Sequence, residues 1–225
     1  QYQWYTVRGG SFEYRNRLIK EFEDKILLNS PVVNVKRQSN DTSSSNVSVT
    51  TKSGQTSTFD IAVIAAHSDQ AYAMLDEPTE LESQILPFFK YHKNIATIHT
   101  DSSVMPRTKS CWSSWNFVYK PCENGSLKPS TIYYMNQLQG VSDKHDYFVS
   151  INGENDMSPD SVLQTIEYHH PVFNTDTFKL QKRFSELNSG GPIYYVGAYQ
   201  ANGFHEDGLK SSYDLCSSLL GRNLL

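Results

Sequence analysis

Two stretches of the chain alternate apolar and polar residues with a period of two. Val33 and Val35 alternate with Asn34 and Lys36, and Val47 and Val49 alternate with Ser48 and Thr50. That period predicts half-buried antiparallel strands. The loop between them, Gln38 to Ser45, is built from Ser, Asn, Asp and Thr and is too polar to pack. Lys52-Ser53-Gly54-Gln55 supplies the next turn of a meander. The run Phe59-Asp60-Ile61-Ala62-Val63-Ile64-Ala65-Ala66 is almost continuously apolar, which predicts a strand buried on both faces. Upstream, Phe12, Leu18, Ile19, Phe22 and Ile26 recur at roughly helical spacing after Gly9-Gly10-Ser11. A helix capped by Ser11 is expected there, then a short strand over Ile26-Leu27-Leu28.

After Asp69 the character changes. A helix is predicted over Glu80 to Phe89, bent or ended by Pro87. Longer, aromatic strands follow over Asn94–His99, Ser114–Tyr119, Thr131–Leu138, Tyr147–Ile151 and Thr165–His169. Asp176–Leu187 reads as a helix, Ser189-Gly190-Gly191-Pro192 as a turn, and Ile193–Val196 as a short strand. A glycine-containing turn at Gly203 opens a last helix that runs to Leu220. The fold class is therefore α/β. Residues 1–75 and 190–225 are expected to form one unit, with the β-rich stretch 76–189 interleaved beside it.

Composition narrows the function classes. Of the 225 residues 38% are hydrophobic and 20% charged, the balance of a globular protein with a core. The formal net charge of -4, without a basic stripe, argues against nucleic acid as a partner. No run approaches the ~18 apolar residues of a transmembrane segment. The 14 Tyr, 11 Phe and 3 Trp suit a pocket lined by rings with polar tips, and equally a β-rich core. Cys111, Cys122 and Cys216 are odd in number and widely spaced, so they read as unpaired thiols. Such thiols point to an intracellular setting rather than secretion. The sequons at Asn40, Asn46 and Asn124 then read as polar loop composition. Gln1-Tyr2-Gln3-Trp4 is neither an initiator Met nor a signal sequence, so a chain cut or processed from something longer is expected.

The densest chemistry is C-terminal. A strand ends at Gly197-Ala198, a loop follows, and Gly203-Phe204-His205-Glu206-Asp207-Gly208 enters a helix. Free N–H groups and the dipole at a helix start favour negative charge there. Gly203 and Gly208 let backbone approach a ring closely. The same residues also make an ordinary strand–turn–helix with acidic first-turn residues. Elsewhere, His99 and Asp101 share a strand face and suit either a proton relay or a structural hydrogen bond. His67 suits a cofactor contact or a cap. Trp112, Trp115 and Asn116 suit a substrate pocket or core packing. His169 and His170 point to opposite strand faces, so no metal is expected. No Gly-x-Ser-x-Gly elbow supports a hydrolase.

Three blocks occur in an order that resembles the flavin-containing amine oxidases. They are Gly9-Gly10-Ser11 with its helix, Pro31 to Val35 with the strands through Ala66, and Ile193 to Gly197 with Gly203 to Gly208. The middle region resembles a subgroup of FAD-dependent proteins of which some members are associated with fatty-acid modification. Its marks are His99-Thr100-Asp101, Met105-Pro106-Arg107, Trp112 to Asn116 and His169 to Phe173. The resemblance implies the C-terminal portion of an FAD-dependent oxidoreductase acting on an amine or a lipid. Its fold would be a partial Rossmann-like FAD-binding fold with an interleaved β-rich substrate-type domain. It implies that Val32 pairs with the adenine end of FAD, and that Ala65 and Ala66 pass the dinucleotide. Gly197 and Ala198 would touch the ribityl-pyrophosphate region, and Gly203, Phe204, His205 and Glu206 the isoalloxazine. Trp115 and Asn116 would position substrate.

The departures are as informative. The Gly-x-Gly-x-x-Gly turn that grips the pyrophosphate, part of an N-terminal βαβ unit, is missing from these residues. No cysteine matches a covalent flavin attachment, and no general base is assignable. FAD binding therefore needs an N-terminal half of the same fold or a partner subunit, which would also cover the open sheet edge. The alternative is a structural subunit of a larger assembly, without cofactor.

Overall fold

The computed structural model describes residues 5–38, 46–121, 125 and 127–223. Cys122 and the sequons at Asn40 and Asn124 fall outside them. In chain order the elements are α1 (Ser11–Ile19), β1 (Val32–Arg37), β2 (Val47–Thr51), β3 (Thr56–Phe59), β4 (Ala62–Ile64), α2 (Ser68–Met74), α3 (Glu80–Ile85), β5 (Lys90–His99), β6 (Trp115–Pro121), β7 (Leu127–Tyr134), α4 (Met135–Gln139), β8 (Phe148–Ile151), β9 (Val162–Val172), α5 (Thr175–Gln181), α6 (Phe184–Leu187), β10 (Ile193–Tyr195) and α7 (His205–Leu220). They fall into two compact units, residues 1–26 with 93–169, and residues 27–92 with 170–225.

The first unit contains a five-stranded sheet of order β6-β7-β8-β5-β9. One sheet face packs Ile132 and Phe148 with Met105, against Trp112, Val118 and Tyr134. Strand β7 stops at Tyr134 rather than continuing to Leu138. The Asn136 amide donates to the carbonyls of Ser142 and His145 and accepts the Tyr147 N–H at 2.8 Å. The side chain thereby takes over the ladder, and Gly140, at φ 63°, closes the single helical turn that replaces it. α1 forms where the helical spacing predicts it, but its N-cap is Gly10 and no side chain caps it. Ile26–Leu28 is not a strand; the chain turns there, with Asn29 at φ 55°.

The second unit holds the antiparallel meander β1-β2-β3 and a parallel pair, β10-β4. The predicted alternation sets the meander register, with Val35 opposite Val49 and Arg37 opposite Val47. Ile64, Ile193, Tyr195, Ile85, Phe89 and Phe184 share the core with Val35 and Val47. The apolar run from Phe59 to Ala66 does not make one doubly buried strand. It breaks at Asp60–Ile61 into β3 and β4, and Val63 is 45% exposed while Ile64 is buried. The Ile61–Ala65 and Ile193–Val196 segments share a sheet, with Ala62 opposite Ile193 and Ile64 opposite Tyr195. The helix expected over Asp176–Leu187 is two helices. An N–H of Arg183 donates to Leu180 three residues back, a tighter turn that divides α5 from α6.

Candidate functional site

Because β4 and β10 run parallel, their carboxyl ends lie together. Ala65 and Ala66 leave one, and Val196-Gly197-Ala198 leave the other. These are small residues, and Ala65 is exposed. The Gly197 N–H donates to Ser211 Oγ at 2.9 Å, and Ser211 donates to the Gly208 carbonyl at 2.8 Å, so α7 is tied directly to the end of β10. A Cβ on Gly197 would run into the Tyr199 ring. Gly203 sits at φ 90°, and its N–H donates to the Ala198 carbonyl at 3.1 Å. A side chain there would be strained and would press on Phe173 at 3.3 Å. Phe204, His205 and Glu206 are all exposed at the start of α7.

One residue changes the electrostatics expected of that helix start. Asp207 Oδ2 accepts the N–H of Phe204 at 2.9 Å and of Asn202 at 3.1 Å. The carboxylate thus ties down the two N–H groups of the turn that leads into the helix. It also places a negative charge in the first turn. At Gly197 and Gly203 the space that a side chain would fill is taken by the rings of Tyr199 and Phe173. The arrangement supplies no cluster of donors for a pyrophosphate. Val32, the residue matched to the adenine end, begins β1 and is half exposed.

A second polar group in this unit was not read from the sequence. Glu82 is fully buried on α3, where it forms a capping box with Thr79. It also binds the Arg37 guanidinium of β1 through both carboxylate oxygens and accepts the Tyr195 hydroxyl of β10. Burial pushes the Glu82 carboxyl up, but its bonds from Arg37, Tyr195 and Thr79 outweigh this and hold it below its ordinary value. The same burial and the Glu82 carboxylate push the Tyr195 phenol far up. A groove of about 490 Å³ beside α7 is lined by Gln181, Asn188, Gln200, Asp207, Lys210 and Ser211. Its three amides are already bonded to the backbone of Tyr195, Tyr199 and Ala201.

His67 precedes α2 and stacks on Tyr91, centroids 4.1 Å apart. In the first unit, His99 is fully buried and makes no carboxylate contact. Its Nδ1 accepts the Asp101 backbone N–H at 3.2 Å, so Nε2 carries the proton toward Ser150 Oγ, 2.8 Å away. That tautomer cannot take a proton from Ser150. The Asp101 carboxylate is occupied by the N–H groups of Ser103 and Ser158. No His99–Asp101 relay is formed. Trp115 and Asn116 point to opposite faces of β6. Trp115 is 57% exposed and aligns with exposed Phe117 and Tyr119. Asn116 is half-buried and committed to Ser113 and to the Ile132 carbonyl. Trp112 lies in the core, its indole N–H donating to the Pro106 carbonyl at 2.7 Å. Cys111 and Cys216 are free and exposed. Among the described residues no three His, Cys, Asp or Glu side chains are grouped to hold a metal ion. No helix among them is long and apolar enough to cross a membrane.

Comparison with known proteins agrees with this architecture. Residues 3–105 match the flavin containing amine oxidoreductase family. No curated protein matches the sequence. Putrescine oxidase bound to putrescine aligns with a TM-score of 0.64 at 14% identity, over 96% of this chain and 54% of that one. Reduced UDP-galactopyranose mutase aligns with a TM-score of 0.63 at 10% identity, over 95% and 51%. A CLA-producing fatty acid isomerase from P. acnes aligns with a TM-score of 0.54 at 10% identity, over 84% and 47%. The chain thus spans about half the length of these structures. Residues 3–105 are thus similar to the flavin containing amine oxidoreductases, and the mixed α/β architecture corresponds to part of the fold of those solved structures.

Proposed function

We propose that this chain supplies the flavin-ring side of an FAD-dependent oxidoreductase of the amine oxidase superfamily. The observation that carries the reading is the shared carboxyl end of β4 and β10. There Ala65, Ala66, Gly197 and Ala198 leave backbone accessible, and the sixteen-residue α7 begins. Ligands of α/β sheets bind at the carboxyl ends of parallel strands. Bound FAD would supply hydride acceptance. In this reading the second unit is the cofactor-type unit. Gly197, Ala198 and Gly203 would offer backbone to the ring edge, while Phe204, His205 and Glu206 line it. Asp207 fixes the Asn202–Phe204 turn that carries them, and Val32 offers backbone to the adenine end. The first unit is the substrate-type unit. Trp115 with Phe117 and Tyr119 gives an apolar wall that favours a lipid over an amine substrate. Asn116 shapes the turn behind that wall.

The pyrophosphate donors would come from a polypeptide segment outside these 225 residues. Charge-assisted hydrogen bonds contribute about 1.5–3 kcal/mol each. Without two or three of them, FAD should bind the isolated chain weaker by roughly two to six powers of ten. The test is FAD titration into the purified chain by flavin fluorescence and calorimetry, repeated with the upstream segment or partner restored. Weak binding that becomes tight on restoration is expected. Tight stoichiometric binding by the chain alone would locate phosphate donors within it. An intact assembly without visible flavin absorbance would favour a cofactor-less structural subunit instead.

A further inference from the structure

The sequence contains three Asn-Gly steps: Asn124-Gly125, Asn152-Gly153 and Asn202-Gly203. Glycine has no Cβ, so its backbone nitrogen is poorly shielded from the side-chain amide that precedes it. Asn124 lies outside the described residues. Asn152 is locked in place. Its Nδ2 donates to Asn94 Oδ1 at 2.8 Å, and its Oδ1 accepts the Ile95 N–H at 3.0 Å. Its own N–H donates to the Ile95 carbonyl at 2.8 Å. Gly153 is buried, with Ser130 Oγ 2.9 Å from the place where a Cβ would stand.

Asn202 is exposed, and its side-chain amide has no hydrogen-bond partner among the described residues. The Gly203 N–H is held by the Ala198 carbonyl at 3.1 Å, and the same carbonyl takes the Ala201 N–H at 3.1 Å. Both bonds are long for N–H···O, whose commonest length is about 2.9–3.0 Å. One side chain restrains the step from outside. Asp207 Oδ2 accepts the N–H of Asn202 at 3.1 Å and of Phe204 at 2.9 Å, so it clamps the residues on either side of Gly203. Gly203 itself sits at φ 90°, where only glycine is free of strain. Exposed turns with few bonds are where local opening costs least.

We propose that Asn202 is a deamidation site whose rate is governed by the Asp207 carboxylate. The Gly203 nitrogen attacks Asn202 Cγ. The new N–Cγ bond closes a succinimide ring, and the side-chain nitrogen leaves as ammonia, carrying the proton from Gly203. Water then opens the ring at either carbonyl, to aspartate or to isoaspartate. The net change is uptake of water, loss of ammonia and gain of a negative charge. Isoaspartate lengthens the backbone by a carbon, so Asp207 can no longer hold both N–H groups, and either product sets a second carboxylate beside it. The turn that leads into α7 is thereby loosened as the protein ages.

The test incubates the full 225-residue chain at mildly alkaline pH in heavy-oxygen water, then maps it by peptide fragment spectra. Asn202 should convert at least about tenfold faster than Asn152, with a solvent oxygen in each product and isoaspartate among them. Conversion of Asn152 as fast as Asn202 overturns the proposal. So does an unchanged Asn202 over a time that converts it in the urea-unfolded chain. Asp207→Ala should speed Asn202 severalfold and leave Asn152 at the parent rate, and an unchanged Asn202 rate overturns the carboxylate's role. If both sites speed up together, that variant has unfolded. Asp207→Asn then decides: its neutral oxygen is a weaker acceptor, so Asn202 alone should speed up, and equal rates at Asn202 in variant and parent overturn the proposal. None of these measurements involves flavin, so they stand or fall apart from the cofactor reading.

Discussion

Replacing Glu82 with Ala should destabilise the second unit severely. Three groups lose their acceptor at once: the Arg37 guanidinium, the Tyr195 hydroxyl and the Thr79 N–H. Removing one partner of a buried ion pair costs about 3–5 kcal/mol. The Arg37 side chain is 29% exposed and can turn toward water, so the lower figure applies. The Tyr195 hydroxyl cannot escape, because that residue is fully buried, and an unsatisfied buried donor costs about 1–3 kcal/mol. Loss of the capping box adds about 1 kcal/mol. These contributions overlap, and a total of roughly 4–5 kcal/mol is expected, against the 5–15 kcal/mol typical of a folded domain. Urea unfolding at neutral pH measures it, with Arg37→Met and the double variant completing a cycle that should show coupling of about 0.5–3 kcal/mol. A loss below about 1 kcal/mol for Glu82→Ala would refute the reasoning. The pH dependence follows in sign. The Glu82 carboxyl is held below its ordinary value in the folded state. Its contribution is therefore complete above the ordinary carboxylate range and is lost as pH falls through the folded value. Glu82→Gln should lack that acid limb.

Two further substitutions test the buried polar groups. The Tyr199 hydroxyl is buried without a hydrogen-bond partner among the described residues. Tyr199→Phe should therefore be neutral or stabilising by about 1–2 kcal/mol in urea unfolding, and a clear loss would reveal a partner for it. Burial holds the His99 imidazole below its ordinary value despite nearby Asp101, so the folded state resists protonation. Stability should then be complete above about pH 6.5 and fall as pH drops toward the folded value. His99→Gln should flatten that acid limb, and parent stability that rises on acidification from pH about 6.5 would contradict the assignment.

Local pattern carried the elements, and long-range pairing carried what the pattern missed. The alternation at Val33–Val35 and Val47–Val49 was enough for the meander, because a half-buried antiparallel pair writes its register into the side-chain period. β10 and α7 were legible from a short apolar run and the glycines after it. The position of β4 in its sheet was not, since an all-apolar hexapeptide reads the same at a centre and at an edge. The Thr79-x-x-Glu82 box was a readable signal for the start of α3. Nothing local announces that Glu82 meets Arg37 across 45 residues and Tyr195 across 113. Asp207 shows the same limit at the candidate site. Acidic first-turn residues were visible, but whether a carboxylate points outward or folds back onto Asn202 and Phe204 depends on loop geometry that spacing does not encode. The resemblance implied one substrate role for Trp115 and Asn116, yet as adjacent residues of β6 they face opposite ways.

The parallel pairing of Ala62 with Ile193 also sets an order of events during synthesis. More than half the chain separates the two strands. At typical elongation rates, β4 is made roughly ten seconds or more before β10 exists to pair with it. Through that interval the β10-facing edge of β4 stands open on the nascent chain, beside a meander whose strand pairings are all local. Distant pairing of this kind is slow because loop closure must precede any gain from it. The second unit is therefore completed from both ends of its sequence. Until residues 193–195 emerge, the Ala62 and Ile64 backbone groups that face β10 have no strand to pair with.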